Sequence, residues 1–295
     1  MIENTSLLIC SRERPQLLLE TVESVLRGNA LPAEIVVVDQ SAVAHSELAA
    51  WTQHDPPVRY IHSATSGLSV ARNIGIAAAA HDDLVIIDDD MFVDRNWFSA
   101  IVSALLSAGP RAVVTARVLP DAAANAPGGF VPALATSEYP ARYRGQLSRD
   151  VLAGGHMAAR RQVFDEVGGF DARLGAGSRF PAADDNDLGF RLLKAGYEIV
   201  YTPEAVVYHR AWRPAREYLT MRWRYGRGKG GFYAKHVPTE PRYMLGRIAR
   251  DIGRRTLGFF GRLRSDTRGA AGDVVYSLGV LVGVVQWSLG LRKTK

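Results

Sequence analysis

The chain contains one cysteine, Cys10, so no intramolecular disulfide can form and the fold must rest on packing; this suits a reducing compartment. Its opening residues, Met1-Ile2-Glu3-Asn4, lack a basic stretch followed by a long apolar run, so no secretory signal is expected. No internal repeat is evident. No GxGxxG follows a strand-like run, which argues against a dinucleotide-binding dehydrogenase. Nor does a glycine-rich loop followed by lysine stand near the N-terminus, which argues against a sugar nucleotidyltransferase. Apolar residues are not scarce: at 47% of 295 residues they exclude wholesale disorder and can fill a large core.

The net charge of +6 conceals an uneven distribution. Residues 210–295 carry 19 of the 36 Lys and Arg but only 5 of the 30 Asp and Glu, so the remainder of the chain is acidic. A basic tail points to an anionic partner, whether nucleic acid, a phospholipid surface or a charged ligand. Its arginines interleave with Trp212, Trp223, Tyr225, Phe232, Tyr233 and Tyr243, a pattern that a non-catalytic nucleic-acid-binding protein would also show. That reading leaves the acidic clusters of the other part unexplained, and no nucleic-acid partner is expected.

Strand-like and helix-like segments alternate over roughly the first two-thirds. Ser6–Cys10 and Glu34–Val38 read as buried strands, Val58–His62 and Leu84–Ile87 as a third and fourth. Pro15 opens a helix with Leu18, Val22, Val25 and Leu26 on one face, and Gly67 precedes an Ala-rich helix over about 69–80. The alternation predicts an α/β fold: a mostly parallel central sheet with helices on both faces and ligands at the carboxyl ends of the strands. From about Pro120 to Gly145 the pattern lapses into Ala, Pro and Gly, read as a mobile surface loop or lid. Structure resumes with Val151–Ala159, a helix from Arg161, a Gly168-Gly169 break, a helix over about 186–195, and strands at Ile199–Tyr201 and Ala205–Tyr208.

Several side chains at these strand and helix ends could carry chemistry. Asp88-Asp89-Asp90 follows LVII directly, where three adjacent carboxylates ask for a hard cation such as Mg²⁺ or Mn²⁺; a solvated acidic turn is the plain alternative. Asp184-Asp185-Asn186-Asp187 opens a helix whose apolar face is Leu188, Leu192 and Leu193, so its acids could cap the helix or supply a general base. His209 ends the strand AVVYH and is either a satisfied structural histidine or a metal ligand. Asp39 ends EIVVVD and could accept from the imide N–H of a base, or cap a turn. Arg72 and Asn73 begin the helix after Gly67, where N–H groups and a guanidinium can face phosphates; Arg72 could equally be a surface salt-bridge partner.

Taken together, LLICSRERPQLL, EIVVVDQS, GLSVARNIGIAAA, LVIIDDDMFVDRNWF, AGGHMAARRQVFDEVGGFD, DDNDLGFRLLKAGYEIVYTPEAVVYHR and YGRGKGGFY resemble the family-2 glycosyltransferases, in that family's order, across about residues 5–235. The resemblance implies the nucleotide-sugar-binding GT-A fold. It also implies an inverting, metal-dependent transfer from a nucleotide diphosphate sugar to a saccharide or lipid-linked acceptor in cell-surface glycan assembly. By position it implies that Asp39 contacts the base and Asp88 the ribose, with Asp89 beside them. Asp90 would bind Mn²⁺ or Mg²⁺ with His209. Asp185 would be the catalytic base with Asp184 in reserve, and Gly154 and Gly155 would let backbone approach the donor sugar. His156 departs from an expected asparagine, Asp184 from a commoner glutamate, and Cys10 from a frequent proline.

A catalytic domain is therefore expected over 1–210, followed by a basic, partly helical extension over 211–295. Within the extension, residues 274–291 carry no charge and Arg292-Lys293-Thr294-Lys295 follow. The stretch sits at the low edge of a bilayer span. Peripheral attachment to the anionic inner face of the cell membrane is the expectation, a span or a core helix the alternatives.

Overall fold

Strand β1 (Ile2–Ser11) runs through the middle of the sheet, because its side chains are apolar on both faces. The computed structural model describes residues 2–122, 129–210 and 212–292. Helix α1 (Pro15–Leu26) follows β1, with proline in its first turn, where the missing N–H costs nothing. Next come β2 (Leu31–Asp39), α2 (Ser46–Ala50), β3 (Val58–His62), α3 (Leu68–Ala78) and β4 (Asp83–Asp88). These four strands lie parallel in the order β3-β2-β1-β4. The direction of winding reverses between β1 and β4, which opens a crevice at their carboxyl ends.

The chain continues through β5 (Met91–Val93), α4 (Trp97–Ala108), β6 (Ala112–Pro120), β7 (Ala141–Tyr143), β8 (His156–Arg160), α5 (Arg161–Val167), α6 (Asp184–Lys194) and β9 (Glu198–His209). Beyond β4 the sheet becomes mixed. Strand β8 enters antiparallel between β4 and β6, β9 lies parallel to β6, and β5 and β7 pair antiparallel with β9. Alternate residues feed two cores. Leu7, Ile9, Ile35, Val37, Val85 and Ile87 meet α1 and α4, while Leu8, Val36, Val38, Leu84 and Ile86 meet α3, α5 and α6.

Some segments differ from the sequence reading. Strand β9 is continuous where two strands were expected, its break appearing only as a register shift opposite Ala116 and Arg117. Of the structured segment expected over Val151–Ala159, the part from His156 is strand, while Gly154 and Gly155 form a turn. Helix α6 begins at Asp184, two residues before the expected start. Part of the 120–145 segment, residues 123–128, lies outside the described residues. Its described parts are tied to the sheet by the bridges Val118–Ala135 and Phe130–Arg213 and by β7, so they do not form a detached loop.

The basic extension is almost wholly helical: α7 (Tyr218–His236), α8 (Pro241–Arg262) and α9 (Thr267–Arg292). Helices α7 and α9 meet backbone to backbone. A Cβ on Gly230 would stand 2.1 Å from the Val280 carbonyl, and one on Gly283 would stand 2.3 Å from that of Arg227. Gly226 and Gly279 repeat the approach one turn away. Helix α7 also docks on the segment before α6: Gly228 packs on Ala182 and Gly231 on Phe180. Of the apolar window Thr267–Gly290, long enough by length and composition to cross a membrane, 44% is buried inside the protein. The opposite face of α9 exposes Val274, Leu278, Leu281, Val285 and Leu289.

Candidate active site

The crevice is a cleft of about 700 Å³, reached by Ser11 and Arg14 from the β1 end, Asp88, Asp89 and Asp90 from the β4 end, and His209 from β9. Gly154 and Gly155 line it, with Asp184 and Asp185 from the first turn of α6. The parallel register sets Cys10 beside Asp88, and the antiparallel pairing of β5 with β9 sets Met91 beside His209. Residues far apart in sequence thus converge at one edge of the sheet.

Asp90 is 5% exposed. One carboxylate oxygen lies 3.2 Å from His209 Nε2 and the other 2.9 Å from Arg14 Nη1. Burial alone would lift its carboxyl, but the hydrogen bond and charge of His209, with Arg14, hold it below the usual carboxylate range. His209 Nδ1 sits 3.0 Å from the Pro132 carbonyl, which can only accept, so Nδ1 carries the proton and Nε2 faces Asp90. Burial opposes charging of this imidazole, yet Asp90 raises its pKa above the ordinary histidine value. Asp89 accepts from Ser11 Oγ at 2.7 Å and Arg14 at 3.0 Å; burial, then Asp90, push it up to about 7.

Arg72 ties the two acid clusters together. Buried on α3, it donates to Asp184 Oδ2 and to Asp88 Oδ1, each at 2.7 Å. It is therefore neither a surface residue nor free to point at solvent. Its partnership consumes Asp184, whose carboxyl is raised by burial despite the guanidinium.

Asp185 has a different environment. Among the described residues it accepts only from the backbone N–H of Asn186, at 2.7 Å, and no cation forms an ion pair with it. Burial, then the charges of Asp184 and Asp150, push it up to about 7. Every other acid lining the cleft among the described residues has a basic partner: Asp88 and Asp184 share Arg72, Asp89 and Asp90 share Arg14, Asp150 meets Lys229 and Arg247, and Asp251 meets Arg255. The residue at the helix N-cap is Ala183, which has no side chain to cap with, so the acids sit inside the first turn.

The two glycines permit close approach. A Cβ on Gly155 would fall 2.1 Å from Asp88 Oδ2, and one on Gly154 would fall 2.8 Å from Asp185 Cβ. His156, next along β8, points away into the core, where Trp97 Nε1 donates to its Nε2 at 2.7 Å and burial lowers it to about 3. It is neutral and structural.

Two of the expected site residues are held by other parts of the chain. Asp39 does not line the cleft; its carboxylate accepts from Ser41 N at 2.9 Å and the Tyr60 hydroxyl at 2.6 Å, while the next residue, Gln40, does line it. Asn73 closes on Phe170, donating to its carbonyl and accepting from its N–H, both at 2.8 Å. Its side chain ties α3 to the segment before α6 and does not reach the cleft.

Residues 3–227 match the family model described as "Glycosyltransferase like family 2". The chain belongs to the family-2 glycosyltransferases. A glucosyl-dolichyl phosphate glucuronosyltransferase of Haloferax volcanii is 26% identical over 227 residues, covering 72% of this chain and 71% of its own. An N-acetylglucosaminyl-diphospho-decaprenol L-rhamnosyltransferase of Mycobacterium tuberculosis is 43% identical over 67 residues, 22% of this chain and 20% of its own. Among solved structures, a mannosyltransferase of Pyrobaculum calidifontis, in complex with GDP-Man and Mn²⁺, superposes with a TM-score of 0.63 at 16% identity. The superposition covers 96% of this chain and 87% of that one, and the shared fold is GT-A.

In this glycosyltransferase several cleft residues carry no signal in the linear sequence. Arg14 was hidden in SRERP, because nothing local says that its guanidinium folds back onto the β4 end. Lys229 of α7 reaches Asp150 and, at 3.0 Å, Asn186 Oδ1; Arg247 of α8 holds Asp150 at 2.7 Å. Tyr225 of α7 also lines the cleft, its hydroxyl pushed up to about 12 by burial and by Asp185. The extension thus builds one wall of the site beside Asp185.

Proposed function

We propose that this glycosyltransferase moves a sugar from a nucleoside diphosphate donor to an acceptor hydroxyl with inversion, Asp185 serving as general base. The observation that carries this reading is the solitary state of Asp185: a cleft carboxylate with no cation and a pKa near neutrality is poised to take a proton. The acceptor O–H gives its proton to Asp185. Its oxygen bonds to the anomeric carbon as the bond from that carbon to the diphosphate breaks, and nucleoside diphosphate leaves. Attack from the side opposite the leaving group inverts the centre. Asp184, locked to Arg72, instead holds the α6 terminus in place.

For the donor, the proposed contacts are Asp88 with the ribose, the backbone at Gly154 and Gly155 with the sugar, Asp39 with the base through the turn it organises, and Arg72 as the brace of Asp88. Asp90 and His209 Nε2 form a donor pair suited to Mn²⁺ or Mg²⁺, oriented by the Pro132 carbonyl and neighboured by Asp89. Among the described residues no group of three or more such ligands occurs, so the diphosphate and water would complete the shell. When bound, the cation would neutralise charge on the leaving diphosphate. The exposed stripe of α9 and the basic extension favour a cytoplasmic enzyme resting on the inner face of the membrane.

The test begins with thermal shifts against UDP, dTDP, GDP and CDP with and without Mn²⁺, then donor hydrolysis and transfer with the winning nucleotide. Asp185→Asn is expected to keep nucleotide affinity and lower turnover by about 10²- to 10⁴-fold. Transfer at an undiminished rate would remove Asp185 from its role.

A further inference from the structure

The cleft does not end at Asp185. It continues along α7, α8 and α9, and most of the cations there are already engaged. Arg247 holds Asp150, Arg222 holds Asp273, and Arg255 spans Asp251 and Asp273. Two are not. Arg250 and Arg254, one and two turns beyond Arg247 on α8, line the same cleft, are exposed, and have no acidic partner among the described residues. Two guanidiniums one turn apart repel each other, and their forked donors match phosphate oxygens.

The surface next to them is apolar. Leu257, 77% exposed, follows Arg254 by one turn on the same side of α8, with Phe260, 69% exposed, a turn further. Helix α9, packed against α8, also exposes Leu278, Leu281 and Val285. A cationic arm of a catalytic cleft that borders an uncovered hydrocarbon-like surface has the polarity of an amphiphile: anion first, chain behind.

We infer that Arg250 and Arg254 bind the phosphate or diphosphate of a lipid-linked acceptor, whose hydrocarbon lies along Leu257 and Phe260 while its sugar reaches Asp185. This rests on the reading of Asp185 as the base. The donor diphosphate has separate partners at the Asp88–Asp90 end, so the arm is a second phosphate site, specific to the acceptor.

Titration of the purified full chain with farnesyl diphosphate, in a saturating mixture of UDP and GDP with Mn²⁺, tests the inference. Farnesyl diphosphate is expected to bind at least about tenfold tighter than inorganic diphosphate, reflecting burial of its chain. The Arg250→Gln/Arg254→Gln variant should lose about tenfold or more of that affinity, since hydrogen bonds to charged groups are the stronger kind. Its affinity for the nucleotide should not change. Unchanged farnesyl diphosphate binding in the variant would overturn the assignment, as would an equal loss of nucleotide affinity. Displacement by phosphatidylglycerol vesicles in proportion to their headgroups would overturn it in favour of a bilayer contact. Failure of the transferase reading shows differently: wild-type protein then neither binds a nucleoside diphosphate nor releases one from a sugar donor, and the arm is judged on the farnesyl diphosphate titration alone.

Discussion

Two carboxylates one residue apart have different work because their neighbours differ. Asp184 is drawn to Arg72, whereas Asp185 accepts a backbone N–H and lies near two negative charges, with Arg72 the weakest of the influences on it. As the proposed base Asp185 must be ionised to accept a proton, and with its pKa raised to about 7 it loses that competence as pH falls through that value. We expect kcat/KM for transfer to decline about tenfold per pH unit below 7. Asp89 is raised to about 7 as well, but it faces Ser11 and Arg14. Asp89→Asn should therefore leave the acidic limb in place, and a profile that flattens in that variant would assign the limb to the wrong residue. Both acid clusters and His209 were legible in the sequence because each stands at the end of a recognisable element, whereas the paired glycines were marked only by the family resemblance. The partners that differentiate the acids were not, since Arg14 and Arg72 act across separations of 75 and 112 residues.

Among the elements, the strands were legible through their apolar runs and their polar terminators. Helix α4 and strand β6 drew no expectation: both are apolar enough to be buried, and neither ends in a chemically distinctive residue. The pairing of α7 with α9 could not be read from either helix alone, because it depends on two glycine-bearing faces, Gly226 with Gly230 and Gly279 with Gly283, meeting each other. That contact has no spare volume. Gly283→Val places its branch against the Arg227 backbone, and overpacking of this kind typically costs about 1–3 kcal/mol. We expect a lower Tm together with reduced turnover, because α7 carries Lys229 and Tyr225 into the cleft. Gly246→Ala, in a position with nothing within 4 Å, serves as the control and should leave both unchanged. A Gly283→Val protein that melts and turns over like wild type would show that α7 and α9 are held by other means.

On the scale of the whole molecule, charge and apolar surface are segregated alike. The acidic part forms the sheet and the Asp88–Asp90 end of the cleft, while the basic part forms three helices with an exposed apolar face. Binding to vesicles that contain phosphatidylglycerol should therefore fall steeply between about 50 and 300 mM salt, as screening shortens the reach of surface charge. Leu281→Asp with Val285→Asp should weaken sedimentation with vesicles at every salt concentration, since it puts charge on the contacting face. Retention of the double variant on vesicles, equal to that of wild type, would place the contact elsewhere. Composition pointed to an anionic partner, but how much of residues 274–291 is covered depends on α7, which no reading of that stretch alone could give.

The glycine seam has a further consequence. Because α9 meets α7 through main chain, and α7 in turn abuts the residues just before Asp185, the outer face and the base are separated by a stack with no compressible layer. With Asp185 as the proposed base, such an enzyme is expected to work like a fixed-height gauge. If α9 rests on lipid, only a hydroxyl carried at one set elevation above the bilayer meets Asp185, and a glycan one sugar too short or too long passes beneath or beyond it.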